Sequence, residues 1–114
     1  MRILIAEDDQ VLADGLLRTL RSAGAAVDHV ASGSEADAAL MTNNEFDLLI
    51  LDLGLPKMHG LEVLKRMRST DSLKRVPVVI LSSSREESDL VHSWNLGVNA
   101  YVVKPVDSEQ FFTA

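Results

Sequence analysis

The sequence predicts an α/β fold, a doubly wound parallel sheet built from five strand–helix units. Short apolar runs without alternation recur along the chain, and each is followed by apolar residues at helical spacing. Such runs read as strands buried on both faces, which pair in parallel through right-handed helical crossovers. The runs also stop abruptly, at carboxylates, a serine or a lysine. Those residues mark the carboxyl rim of the sheet, where open α/β folds hold ligands.

The elements follow in order. Residues 3–6 form the first strand, which stops at Glu7-Asp8-Asp9. Asp9 caps a helix whose apolar residues Leu12, Leu16, Leu20 and Ala23 recur at helical spacing, and Gly24 stands where a C-terminal glycine belongs. Residues 26–30 form a second, weaker strand. Ser32-Gly33-Ser34-Glu35 has the form of a capping box; Ala36, Ala39 and Leu40 share one face behind it, and Asn43 and Asn44 end the helix. Residues 47–51 form the third strand, leading into Asp52, and Gly54 and Pro56 break the structure after it. Gly60 opens a helix with Leu61, Leu64 and Met67 inward, and 69–75 is a polar loop. Residues 76–81 form the fourth strand, ending at Ser82-Ser83-Ser84. Ser84 and Glu87 make a second capping box, for a helix through Leu90, Val91 and Trp94 that Gly97 ends. Residues 100–103 form the fifth strand, ending at Lys104-Pro105. Asp107 caps a last helix, with Gln110 in box position and Phe111 inward. Only about two turns fit before Ala114, against a usual three, so that helix reads as trimmed.

Composition narrows the function. The chain has 114 residues, the size of one domain. Aromatic residues are 4%, so Leu, Val, Ile and Ala must fill the core. A net charge of −6 argues against nucleic acid as a direct partner, since such modules need a basic face. With no cysteine, disulfides and thiolate metal sites are excluded. The first apolar run meets acid at Glu7, too early for a signal-peptide core or a membrane span. The expectation is a soluble cytoplasmic protein.

In this layout Glu7, Asp8, Asp52, Ser82 and Lys104 converge on one rim. Three carboxylates in a small cleft repel one another, so a cation must compensate or one acid must stay protonated. The all-oxygen donor set suits Mg²⁺. A metal, a lysine and a hydroxyl around one carboxylate make a pocket for a phosphoryl group, with Asp52 as nucleophile.

These residues, with Tyr101 and Leu53-Gly54-Leu55-Pro56 after Asp52, resemble the receiver domain of the two-component response regulator family. The resemblance covers essentially the whole chain, as one receiver domain, residues 1–114. Its spacings agree as well: 44 residues from Asp8 to Asp52, 30 from Asp52 to Ser82 and 52 from Asp52 to Lys104. Each motif alone has an ordinary structural reading, as a helix-start charge cluster, a cap or a surface loop; five in register do not. The resemblance implies a flavodoxin-like (βα)5 fold with strand order 2-1-3-4-5. It implies that Asp52 accepts a phosphoryl group from a sensor histidine kinase. Glu7, Asp8, Asp52 and the Gly54 carbonyl would hold Mg²⁺, Ser82 would bond the phosphoryl oxygen and Lys104 would pair with it. Lys104-Pro105 would be a cis peptide, and Tyr101 the switch aromatic. The output face would be helix 4, strand 5 and helix 5, which is also where a homodimer would form. Positions 54 and 84, both small here, are where the family tunes phosphoryl lifetime.

Two features qualify the resemblance. The first half, through about residue 67, resembles regulators carrying a winged-helix DNA-binding domain. The second half resembles single-domain receivers associated with phytochrome kinases, which suggests a chimeric chain. The alternative function is a receiver-fold binding module that does not switch. A true phosphotransferase or phosphatase would need a second acid two residues past the nucleophile, where this chain has Gly54. Enzyme activity is therefore expected only as the domain's own phosphoryl uptake and hydrolysis. His29, His59 and His92 are read as surface or structural, and Trp94 and Phe111 as packing residues, with a place bordering the output face as the alternative for Trp94.

Overall fold

The computed structural model describes residues 1–42 and 45–104. Nine elements alternate: β1 (Arg2–Ala6), α1 (Gln10–Ser22), β2 (Ala26–Val30), α2 (Gly33–Thr42), β3 (Leu48–Asp52), α3 (Gly60–Arg68), β4 (Val78–Ser82), α4 (Arg85–Ser93) and β5 (Ala100–Val103). The five strands form one sheet in the order β2-β1-β3-β4-β5, and every adjacent pair is parallel. The predicted fold class and strand order are both present.

Unbroken apolar runs form β1, β3 and β4 because each of these strands feeds two cores. Leu4, Ala6, Leu49, Leu51, Val78 and Ile80 point to one face, where they meet Ala36 and Leu40 of α2, Val63, Leu64 and Met67 of α3, and Val91 of α4. Ile3, Ile5, Ile50 and Leu81 point to the other, where Leu16 of α1 and Val27 complete a smaller cluster. Successive strand residues face opposite ways, so continuous hydrophobicity means two buried faces.

Helix starts follow their caps. The Asp9 carboxylate accepts from Val11 N–H at 3.0 Å and Leu12 N–H at 3.2 Å. Ser32 accepts from Glu35 N–H and Ser84 from Glu87 N–H. In both boxes the glutamate reaches back one residue further than the usual form, to Ala31 N–H and to Ser83 N–H. Gly24, at φ 95°, takes the left-handed turn that ends α1.

Several boundaries differ from the sequence reading. β3 begins at Leu48 because the Asp47 carboxylate is engaged with Arg2 N–H at 2.7 Å, and it runs one residue further to include Asp52. β4 begins at Val78: Val76 N–H turns back to Leu73, and Pro77 has no N–H to give the ladder. It extends to Ser82, so this serine is a strand residue. The 69–75 segment is not wholly polar, because Leu73 is fully buried and anchors it. α4 ends at Ser93, not at Gly97; Asn95 (φ 52°) supplies a left-handed turn two residues before that glycine. Ala23 is an exposed C-cap, and Leu90 and Trp94 face solvent. Trp94 is thus not a core residue, and the Lys65 ammonium lies 4.8 Å over its ring. The readings of Asn43 and Asn44, of the Lys104-Pro105 peptide, and of the last helix with Asp107, Gln110 and Phe111 lie outside the described residues. No helix among the described residues is long and apolar enough to cross a membrane.

Candidate functional site

The parallel sheet brings the ends of β1, β3, β4 and β5 to one rim. Asp52 closes β3, the central strand, and is 4% exposed. Its Oδ1 accepts from Gly54 N–H at 3.2 Å, within the turn that leaves the strand. The loop after it is seated from two sides. Gly60 N–H donates to Leu53 O, and Gly33 N–H, at the start of α2, donates to Pro56 O. A side chain at either glycine would strike backbone: a Cβ on Gly33 would lie 1.7 Å from Met58 O, and one on Gly60 2.4 Å from Asp52 O. Lys57, at φ 69°, holds a left-handed conformation in this loop.

Glu7 follows β1 and is wholly buried. Its Oε2 accepts from Asp9 N–H at 3.0 Å. Its backbone is fixed by N–H donation to Val30 O and by His29 Nε2, which donates to the Glu7 carbonyl at 2.8 Å. Asp8 beside it is exposed. Carboxylate oxygens of Glu7, Asp8 and Asp52 all lie within 4.8 Å of one another. The Lys104 ammonium bridges two of them, 2.7 Å from Glu7 Oε1 and 3.4 Å from Asp52 Oδ2. Lys104 is positioned through its own N–H, which donates to Ser82 O at 2.9 Å and ties the ends of β4 and β5 together.

The electrostatics are unbalanced. One ammonium faces three carboxylates. Burial pushes Glu7 up to about 7, aided by the Asp52 charge and opposed by the Lys104 and Asp9 contacts. Burial alone would pull the Lys104 ammonium down, but Glu7 and Asp52 hold its pKa above the ordinary lysine value. Glu7 Oε1, despite its ion pair, lacks a well-aligned hydrogen bond. A buried acceptor with spare capacity, among converging carboxylates, fits a hard divalent cation bound by oxygen.

The remaining predicted residues flank this cluster. Ser82 is wholly buried, and its hydroxyl is engaged with the Ser84 carbonyl at 3.1 Å and with Ser88 Oγ, with no hydrogen bond to the acids among the described residues. Tyr101 is half-buried on β5, edge-on to His92 of α4 with ring centroids 5.5 Å apart; burial raises its phenol pKa. Gly54 leaves open space over the site, since an added Cβ would meet only Asp52 Oδ1 at 3.9 Å. His59 does not join the cluster; its Nδ1 caps α3 by accepting from Leu61 N–H. The reading from sequence missed Ser88. Its signal was available: the Ser84 cap fixes the start of α4, and the residue four further on lies back over that cap.

Residues 3–114 match the model of the response regulator receiver domain. The chain is 42% identical over 110 residues to the response regulator protein PmrA of Pseudomonas aeruginosa, covering 96% of this chain and 48% of that protein. It spans about half the length of curated relatives that it matches, PmrA among them. The solved bacteriophytochrome response regulator RtBRR superposes with a TM-score of 0.88 at 43% identity, over 99% of this chain and 74% of that one. The phosphorylated cyanobacterial phytochrome response regulator RcpA superposes with a TM-score of 0.81 at 38% identity, over 98% and 86%. The receiver domain of a sensor histidine kinase from Pseudomonas aeruginosa, solved with magnesium coordinated in its active-site cleft, gives a TM-score of 0.85 at 27% identity, over 98% and 91%. Response regulators named as transcriptional regulatory proteins and response regulators of phytochromes thus both match along nearly the whole chain.

Proposed function

The chain belongs to the response regulator receiver domain family, and from that premise we propose that it is a phosphoacceptor switch in which Asp52 takes a phosphoryl group from a sensor histidine kinase. The observation that carries the proposal is the setting of Asp52: a buried carboxylate at the end of the central strand, with two further acids within 4.8 Å and an ammonium at 3.4 Å. One Asp52 oxygen attacks phosphorus as the P–N bond of a phosphohistidine breaks, and the imidazole leaves. Lys104 offsets charge on the transferred oxygens, and Ser82, which follows Leu81, the residue paired with Asp52 on the neighbouring strand, would turn its hydroxyl toward them. Glu7, Asp8, Asp52 and the Gly54 carbonyl would hold Mg²⁺, which supplies electrostatic stabilisation of the transferring phosphoryl group.

Switching follows from charge. An aspartyl phosphate adds roughly −1.5 to −2 charges to an acidic cleft, if it ionises as other phosphoryl groups do. Driving a two-state equilibrium from 1:99 to 99:1 needs about 5.5 kcal/mol of differential interaction. Two or three charge-assisted bonds from Ser82 and Lys104, at roughly 1.5–3 kcal/mol each, are of that size. The output is read on α4 and β5, where Leu90 and Trp94 are exposed. That face is also where we place homodimer formation.

Intact mass after incubation with Mg²⁺ and acetyl phosphate tests the proposal. A phosphoryl adduct is expected on the parent, dependent on Mg²⁺ and absent from Asp52→Asn. No adduct from a folded protein, together with no beryllofluoride binding, would leave instead a receiver-fold binding module that does not switch.

A further inference from the structure

Ser82 is not free to serve the phosphoryl group. Its hydroxyl and that of Ser88 are in direct contact, both buried, and both reach the Ser84 carbonyl, at 3.1 Å from Ser82 and 3.3 Å from Ser88. Three contacts share two hydroxyl protons. In every pairing that uses both protons, the Ser82 proton is committed to the Ser84 carbonyl or to Ser88. No hydrogen bond runs from Ser82 to the acidic cluster among the described residues. Ser84 and Ser88 are the cap and second turn of α4, so the tie joins the end of β4 directly to the helix that carries Leu90 and Trp94.

We propose that Ser88 is a positioning residue that latches Ser82 away from the phosphoryl site and couples its release to α4. This rests on the phosphoacceptor reading. When Ser82 turns to donate to a phosphoryl oxygen, it gives up Ser88, whose hydroxyl keeps the Ser84 carbonyl as partner. The latch thus opens without leaving a buried hydroxyl unpaired, and α4 loses one of its ties to β4. Because the Ser84 carbonyl still holds Ser82 when Ser88 is truncated, removing the latch has a modest effect, about the worth of one neutral hydrogen bond.

Beryllofluoride binding with saturating Mg²⁺, followed by the fluorescence of Trp94, the single tryptophan, tests this. Ser88→Ala is expected to tighten the apparent beryllofluoride affinity by about three- to tenfold, with Mg²⁺ affinity unchanged. Ser88→Thr, which keeps the hydroxyl, restores parental affinity. In a Ser82→Ala background, Ser88→Ala has no further effect. Unchanged or weakened affinity in a folded Ser88→Ala protein overturns the latch while the phosphoacceptor reading stands. A parent that binds no beryllofluoride with Mg²⁺ overturns that reading and the latch with it.

Discussion

Glu7 shows how a single residue can be poor for stability and useful for function. It is wholly buried, and its pKa in the folded chain is pushed up to about 7 from an ordinary 4.5. A carboxyl raised in this way binds its proton more tightly when folded. Between those two values the folded state carries more protons than the unfolded one, so stability falls as pH rises through that window. The metal-free domain should therefore lose between about 1 and 3 kcal/mol from this group between pH 4.5 and pH 7. Glu7→Gln should remove that part of the slope. Urea midpoints of parent and variant at pH 5 and pH 8, without divalent cations, check it; parallel pH dependences would refute it. Glu7, Asp52 and Lys104 were legible in the sequence because short strands fix their position at the rim to within a residue. Arg68 was not, and Ser88 was missed although the Ser84 cap gives its place. Ser88 sits in a polar helix and reads as solvent-facing until the cap folds it over Ser82. Arg68 reads as one cation among several, yet its guanidinium donates to the carbonyls of Lys74, Val76, Leu96 and Gly97.

At the scale of elements, the site depends on how closely α3 approaches β3. Gly60 begins α3 directly against the Asp52 carbonyl and Leu53 Cα, at 2.4 and 2.8 Å from where a Cβ would stand. Neither neighbour is a side-chain end that can swing away. Gly60→Ala should therefore displace α3 from the nucleophile strand and destabilise by about 1–3 kcal/mol, in the manner of an overpacked core. Gly15 is the contrast. It lies inside α1 with nothing within 4 Å of its would-be Cβ. Gly15→Ala should stabilise by about 0.4–1 kcal/mol, because it restricts the unfolded chain and favours helix. Denaturant midpoints of the two variants should move in opposite directions; equal shifts would mean that the close approach at Gly60 does not set its cost. The helix-start motifs were readable because a cap and its box are local chemistry, and all five strands matched their place or fell within two residues of it at each end. The errors sit at element ends decided by distant partners. Arg2 claims Asp47, Leu73 folds into the core from a polar loop, and Asn95 ends α4 before Gly97 is reached.

At the scale of the whole molecule, the acidic cleft joins parts of the chain far apart in sequence. Glu7 and Asp8 come from the first strand end and Asp52 from the third, and Lys104 closes over them from the fifth. A cation held by these acids would bind only the folded chain, since unfolding scatters its ligands. Mass action then makes metal affinity a stability term for the entire domain. At ten times its dissociation constant, Mg²⁺ should add about 1.4 kcal/mol, or roughly 6 °C in Tm for a domain of this size. Two features separate this from general screening of the −6 net charge. The shift should be larger at pH 8 than at pH 5, because at pH 5 the metal must displace the proton that burial keeps on Glu7. It should also shrink in Asp52→Asn, whereas sodium chloride of equal ionic strength should give none of it. A thermal scan at both pH values with either salt distinguishes the two. Equal shifts from the two salts would show that the three acids do not act together as a site, despite their proximity, and the case for Asp52 as a metal-assisted phosphoacceptor would fall with it.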